Sequence, residues 1–268
     1  MPTPEQVQQY DELGYFIAED AVDPAVLPEL LAATRRAKKK VRSGRVDVYT
    51  HWATKENSEP WAIRGLLAPE FEEPIFAEHL LSRPIMHYVH YFLGNELCLG
   101  SILIFTNPYH EDWGIGWHRD FGKDVRNGTE EEEMAVLNRP LYSLRWHLAL
   151  VDDACLELVP GSQRRYRTDR ERECLANDRN GDIPGGMAIP LKAGQAVFWK
   201  GYAIHRGVMK KDVERLTIAA SWRQHTPEED QPEETDVRFK WRLRDDVRDV
   251  LPEAMKPYYD RWRVLQLG

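Results

Sequence analysis

Cysteine is scarce, with three in 268 residues. Cys98, Cys155 and Cys174 form no pair at zinc-ligand or redox spacing, which excludes a disulfide framework and a Cys-based metal knuckle. No apolar run approaches the ~20 residues that a membrane-spanning helix requires. Met1-Pro2-Thr3-Pro4-Glu5 lacks the basic and apolar regions of a signal peptide. On these grounds the chain is expected to be cytoplasmic and reduced, with no membrane partner. An excess of positive charge is missing too: 36 Lys and Arg stand against 44 Asp and Glu, a net charge of −8. That argues against nucleic acid or an anionic membrane as partner. The basic run Arg35-Arg36-Ala37-Lys38-Lys39-Lys40 falls at the end of an expected helix, where cations oppose the negative dipole end, and reads as a solvated face. A phosphate-cradling glycine loop and a nucleophile elbow are also absent.

What is present is 42% hydrophobic and 30% charged sequence, enough for one substantial core. Residues 1–268 are expected to form one domain, with a mostly helical layer over 1–95, a β-rich core over 96–225 and a helical extension over 226–268. Thr3-Pro4-Glu5-Gln6 is a capping box opening a helix that should end near Gly14, where Tyr15-Phe16-Ile17 begins a strand. Asp23-Pro24 opens a second helix, with Val26, Leu27, Leu30 and Leu31 at helical spacing, running to about Gly44. Residues 74–92 read as helix, closed by Gly94. From Leu97 the period changes to two. Tyr142, Leu144, Trp146, Leu148 and Leu150 share one face of a strand, and Ser143, Arg145, His147 and Ala149 share the other. Strands follow at 155–159, 196–199 and 215–222, separated by turn signals. Helices first and short strands afterwards imply a helical layer on a β-sandwich or barrel. The polar stretch 121–140, with Glu130 to Glu133, reads as a solvated surface loop or lid.

The chemistry concentrates at Trp117-His118-Arg119-Asp120 and at His205. On a strand, His118 and Asp120 would project from one face and offer an imidazole nitrogen and a carboxylate oxygen to one metal. His205 would complete the two-histidine, one-carboxylate facial triad, which leaves positions open on a non-haem iron. Arg215, ten residues on, shares a face with Thr217, Ala219 and Ser221. An arginine on a face of small residues needs an anion, either a bound carboxylate or a structural partner such as Asp152 or Glu157. His147 reads as a hydrogen-bonded sheet histidine. His87 and His90, three apart among Tyr88, Tyr91 and Phe92, read as part of a packing helix.

The ordered set His118-x-Asp120, Cys155-Leu156-Glu157-Leu158-Val159-Pro160-Gly161-Ser162, Gly194-Gln195-Ala196-Val197-Phe198 leading to His205, and then Arg215, resembles the phytanoyl-CoA dioxygenase family. The resemblance runs from about Tyr15 to Trp222. It implies a double-stranded β-helix, or jelly-roll (cupin-like) fold, mainly β with flanking helices. It also implies iron(II), 2-oxoglutarate and O2 as cofactor and co-substrates. His118, Asp120 and His205 would be the iron ligands, and Arg215, with Thr217, would bind the distal carboxylate of 2-oxoglutarate. The sequence departs from the family at Arg119, where glutamine is usual, and at Gln163, where histidine is usual. A lysine expected before the first histidine is replaced around Thr106-Asn107. Related halogenases have glycine or alanine at the position of Asp120, so the carboxylate points to oxygen transfer.

The expected activity is hydroxylation of an unactivated C–H bond of a small organic molecule. Desaturation, epoxidation or ring formation at the same site, and a non-catalytic metal-binding jelly roll, are the alternatives. Tyr109, Trp113, Trp117 and Trp146 are the aromatics expected to wall the substrate pocket.

Overall fold

The computed structural model describes residues 1–54, 59–120, 128–226 and 239–267. Thr3 caps α1 (Pro4–Glu12): its hydroxyl accepts from Gln6 N at 3.2 Å, and the Gln6 side chain accepts from Thr3 N at 2.9 Å. Gly14, at φ +85°, turns the chain into β1 (Tyr15–Ala18). The second helix, α2 (Leu27–Arg42), starts later than Asp23-Pro24 suggests. Asp23 accepts from Ala25 N at 2.8 Å and closes a local turn. Pro28, which lacks an N–H, then sits in the helix's first turn, where none is needed.

Two strands interrupt the region expected to be helical. β2 (Thr50–Thr54) and β3 (Glu59–Ile63) pair antiparallel and extend the main sheet at its edge. The following helix is split into α3 (Ile75–Leu80) and α4 (Arg83–Leu93): Ser82 is extended (φ −60°, ψ 141°), and Pro84, which has no N–H to bond back into the preceding turn, sits in the first turn of α4. Then come β4 (Leu97–Thr106), β5 (Trp113–His118), α5 (Glu130–Leu137), β6 (Ser143–Ala149), β7 (Leu156–Leu158) and α6 (Asp169–Asn177). The remaining elements are β8 (Met187–Ala188), β9 (Ala196–Trp199), β10 (His205–Met209), β11 (Leu216–Gln224), α7 (Asp245–Asp249) and α8 (Lys256–Leu267). The acidic stretch expected to be a solvated loop is α5, capped by Thr129, and Glu133 is wholly buried between Arg119 and Arg167. Residues 121–127 of that expected lid lie outside the described residues.

The strands form two antiparallel sheets, a seven-stranded one in the order β1-β9-β6-β11-β4-β3-β2 and a four-stranded one in the order β5-β10-β7-β8. This is the mainly-β jelly-roll arrangement. Alternation in β6 decides its two faces. Leu144, Trp146 and Leu148 pack outward with Phe16, Phe198, Leu30 and Trp222 into the main core beneath the helices. Ser143, Arg145 and His147 therefore turn towards the smaller sheet. At one end of the space between the sheets, Ala149, Leu156, Leu158, Val197 and Trp199 close a second apolar cluster; the rest is a cavity of about 710 Å³. Among the described residues, no helix is long and apolar enough to cross a membrane.

Candidate metal centre and its cavity

His118 ends β5 and His205 begins β10, and the two are directly opposed in the ladder, with ring centroids 4.2 Å apart. The register slips between the pairs His205–His118 and Gly207–Ile115. This bulge switches the alternation, so Ile115 and His118 both face the cavity while Trp117 turns away. His118 Nδ1 lies 2.7 Å from Gly116 O, and His205 Nδ1 lies 2.8 Å from Ala203 O. A carbonyl can only accept, so each Nδ1 carries the proton and each Nε2 presents a lone pair. Burial, reinforced by His118, pushes the His205 pKa down to about 3, which keeps that lone pair available.

Asp120 does not share a strand with His118 as expected; the strand stops at His118. Its backbone N donates to Gly201 O at 2.9 Å, which folds the chain back over the two rings. Asp120 Oδ1 then lies 3.7 Å from His118 Nε2 and 3.9 Å from His205 Nε2. The three ligand atoms lie within 4.8 Å of one another, the one such group of three or more among the described residues. Separations of this size admit one cation at bond lengths of roughly 2 Å. The other oxygen, Oδ2, accepts from Arg145 Nη1. Burial works to raise the Asp120 carboxyl, but Arg145, His205 and His118 outweigh it and hold the pKa at about 2.

Arg215 stands just before β11 and lines the cavity. Its Nε donates to Asp153 Oδ2 at 3.1 Å, so its structural partner is neither Asp152 nor Glu157, the two acids suggested by the sequence; these pair with Lys192 and Arg206. Its outer guanidinium nitrogens make no hydrogen bond to protein among the described residues. Asn107 Oδ1 accepts from Arg215 N at 3.1 Å, so the residue standing near the missing family lysine braces this backbone. The Thr217 hydroxyl donates to Asp153, which spends its proton there. Burial would raise the Asp153 carboxyl; Arg215 and Thr217 keep it well below the usual carboxylate range. His147 sits on the same wall, its pKa lowered to about 3 by burial and by Arg215. Its Nδ1 has no partner among the described residues, contrary to the hydrogen-bonded histidine expected.

The four expected pocket aromatics are not brought together. Tyr109 is exposed and lies beneath the Arg42 guanidinium, 3.9 Å from its ring centroid. Trp117 packs with Cys174 and Ile183 on the outer side of the smaller sheet and donates to Gly181 O at 2.8 Å. Trp146 touches the cavity wall, but its ring packs in the main core beside Phe198, 5.8 Å between centroids. Trp113 stands behind the wall, stacked at 4.3 Å on Trp61. Besides Trp146, the aromatic residues that line the cavity are Trp61, Phe105, Tyr142, Trp199 and Phe239. Arg145 and Asp153 were missed in the sequence. Arg145 had a signal, since it shares the inward face of its strand with His147 and an inward arginine requires an anion.

The departures from the family pattern have structural occupations. Arg119 points away from the cluster onto Glu133 and donates to Ser162 O at 2.7 Å. Gln163 donates to Asp11 O at 3.0 Å and Glu12 O at 3.3 Å, tying the end of α1 to the loop after β7.

A jelly roll carrying two histidines and one carboxylate on the wall of an inter-sheet cavity defines a class of mononuclear non-haem metal protein. Within that class the chain belongs to the phytanoyl-CoA dioxygenase family, whose sequence profile matches residues 10–208. It is thus a non-haem iron(II), 2-oxoglutarate-dependent oxygenase acting on small molecules, and its His-Asp-His cluster is consistent with those cofactors. Among solved structures it is similar to EctD from S. alaskensis, determined with 2-oxoglutarate and 5-hydroxyectoine. That match has a TM-score of 0.63 and 18% identity, covering 84% of this chain and 77% of that one. AviO1 from Streptomyces viridochromogenes Tue57 matches with a TM-score of 0.60 and 17% identity over 85% of this chain and 97% of its own. HygX from Streptomyces hygroscopicus, with nickel and 2-oxoglutarate bound, matches with a TM-score of 0.58 and 14% identity over 83% and 87%. At these identities the likeness is one of fold. No curated protein sequence matches the chain.

Proposed function

We propose that His118, Asp120 and His205 hold the iron, that Arg215 binds the distal carboxylate of 2-oxoglutarate, and that the enzyme hydroxylates an unactivated C–H bond of a small molecule. The observation that carries this reading is the convergence of His118 Nε2, His205 Nε2 and Asp120 Oδ1 on one point of a cavity whose wall also contains Arg215. Iron(II) bound there supplies the activation of dioxygen, coupled to oxidative decarboxylation of 2-oxoglutarate.

The chain's own residues bind, orient and exclude water. The two imidazoles are held in the ligating tautomer by Gly116 and Ala203 carbonyls. Trp199 sets its ring against His205 at 4.4 Å, 62° between planes, and restricts the imidazole's rotation. Arg215 offers the outer edge of its guanidinium because Asp153 occupies Nε; Thr217 contributes through Asp153 and not by its own hydroxyl proton. A guanidinium edge fits a carboxylate bidentately. Neutral His147 adds no charge beside it. Trp61, Phe105 and Trp199 give the cavity an apolar side on which a substrate carbon can rest.

Succinate formation by the purified chain with ferrous salt, 2-oxoglutarate and air, offered a panel of small substrates, tests the reading. His118→Ala and Asp120→Ala should abolish it, and near-wild-type turnover in either variant sinks the ligand assignment. Mass spectrometry of the product should show the gain of one oxygen atom; loss of two hydrogens would assign desaturation instead.

A further inference from the structure

A buried polar atom without a partner is costly, and His147 Nδ1 is such an atom. The residue is 8% exposed and lines the cavity between the sheets. Val197 and Ala219 flank it as cross-strand partners. On the same face of β6, Ala149 opposes Thr217, whose hydroxyl bonds Asp153, the partner of Arg215. In the other direction comes Arg145, which holds Asp120. His147 is one two-residue step, roughly 7 Å, from each of these positions, and so lies between Arg215 and the metal cluster. Ring contacts trace the same path. Arg215 lies over Phe105, 4.9 Å from its centroid; the His147 ring is 5.3 Å from Phe105 and 5.3 Å from Trp199, and Trp199 abuts His205.

Burial and the charge of Arg215 keep this imidazole neutral, so it carries a single N–H. Orphaned buried N–H groups are rare, which puts the proton on Nε2 and leaves Nδ1 as the enclosed lone pair. Nε2 is then a neutral donor left to meet a ligand in the cavity. Phe105 and Trp199 both meet the ring edge-on, each at 72° between planes, and restrict its rotation. A fixed donor here fills a gap, because the Thr217 hydroxyl, expected beside the distal carboxylate, spends its proton on Asp153. The outer edge of Arg215 satisfies two lone pairs of a carboxylate and leaves others open.

We propose that His147 is a second anchor of the co-substrate, donating its Nε2–H to the distal carboxylate of 2-oxoglutarate beside Arg215. The proposal rests on the reading of the metal and co-substrate sites above and adds a residue to the latter. One charged fork and one neutral donor then hold the distal end, while the chelating end of the 2-oxo acid lies towards His118 and His205.

The test is calorimetric titration of the full chain loaded with Zn(II), comparing 2-oxoglutarate with 2-oxovalerate, which has the same carbon chain and chelating end but no distal carboxylate. His147→Phe and Arg215→Gln should each weaken 2-oxoglutarate binding on the order of tenfold and leave 2-oxovalerate binding unchanged. His147→Gln, which can place an N–H near the same point, should recover part of the loss. Nitrogen-15 NMR of the Zn(II)-loaded wild type gives a readout independent of how the phenylalanine variant folds. The His147 ring signals, assigned by their absence from the glutamine variant, should shift on addition of 2-oxoglutarate and stay in place with 2-oxovalerate. Unmoved signals, an unchanged 2-oxoglutarate affinity in His147→Phe, or equal loss of both acids in a folded variant overturns the proposal. If Arg215→Gln also leaves 2-oxoglutarate affinity unchanged, the co-substrate reading falls as well; loss in Arg215→Gln alone sinks only the second anchor.

Discussion

Arg145 donates to the Asp120 oxygen that faces away from the histidines, leaving Oδ1 as the oxygen directed at His118 and His205. The pairing crosses from the larger sheet to the end of β5, so the two sheets must be in register before the carboxylate is aimed. Arg145 also lies over the Trp199 ring, 5.3 Å from its centroid, and Trp199 in turn abuts His205. One guanidinium thus contacts a proposed ligand directly and another through an aromatic ring.

Arg145→Gln should weaken metal binding by about tenfold, as the loss of an orienting partner behind a metal ligand usually does. Loss of a nearby positive charge acts in the opposite direction, but it is partly screened at a wall open to the cavity. Electron paramagnetic resonance titration with Mn(II) measures the change. Arg145→Lys should recover part of it, and tighter binding by the glutamine variant would mean that charge outweighs orientation.

Gly201 is needed for space. A Cβ on it would lie 2.6 Å from Arg145 Nη1 and 2.8 Å from Asp120 Oδ2. Gly201→Ala should therefore displace that pair, with metal affinity and succinate formation falling tenfold or more by the same orienting argument. Thermal melting of the metal-free protein should move little by comparison, since the clash falls on side chains at the cavity and not in the main core.

Asp153 and Arg215 are buried together, with 5% and 3% of their side chains exposed. Removing one member leaves the other charged and uncompensated, at a cost of about 3 kcal/mol or more. Asp153→Ala should lower the melting temperature and raise the KM for 2-oxoglutarate, because the guanidinium loses its brace. Asp153→Asn keeps the shape and one hydrogen-bond acceptor but also leaves Arg215 without a counter-charge, so it should recover only part of the stability lost in the alanine variant. An unchanged KM in both variants would place the co-substrate elsewhere.

His79 lies in the main core, far from the metal cluster, with its ring 6.3 Å from Trp146. Burial lowers its pKa to about 4, against about 6.5 in an unfolded chain. Between those values the unfolded chain binds a proton that the folded one does not. Its contribution is thus complete above pH 6.5 and is lost as pH falls towards 4, by about 1 kcal/mol at pH 5.5. His147 and His205, each lowered to about 3, act in the same direction. Asp120 and Asp153 have depressed values and lose their contributions only below the ordinary carboxylate range. Melting curves of the metal-free protein should fall between pH 7 and 5.5, and His79→Phe should reduce that fall. An equal fall in the variant would show that His79 is already protonated in the fold.

Much of the site was legible from local patterns. The alternation of β6 separated Leu144, Trp146 and Leu148 from Arg145 and His147, and the two groups do occupy opposite faces. Applied consistently, the same rule puts Trp146 on the core side, where the structure has it. Trp117 is subtler: strict alternation separates it from His118 but also separates Ile115 from His118, and only the bulge against β10 lets Ile115 join the cavity wall. The β2–β3 hairpin was not read because its pairing partner, β4, lies some forty residues later in the chain.

By itself, the sequence determined the residue types and their order: two histidines, one aspartate and one arginine, capped helices ahead of short alternating strands, and too little cysteine or positive charge for other chemistries. Those properties follow from side-chain identity and from periods of two and 3.6, which are local. The tertiary structure decided which carboxylate supports Arg215, which oxygen of Asp120 faces the histidines and which rings wall the cavity. Each of these depends on which strands and loops distant in sequence are brought side by side, and that is set by the packing of the whole sandwich.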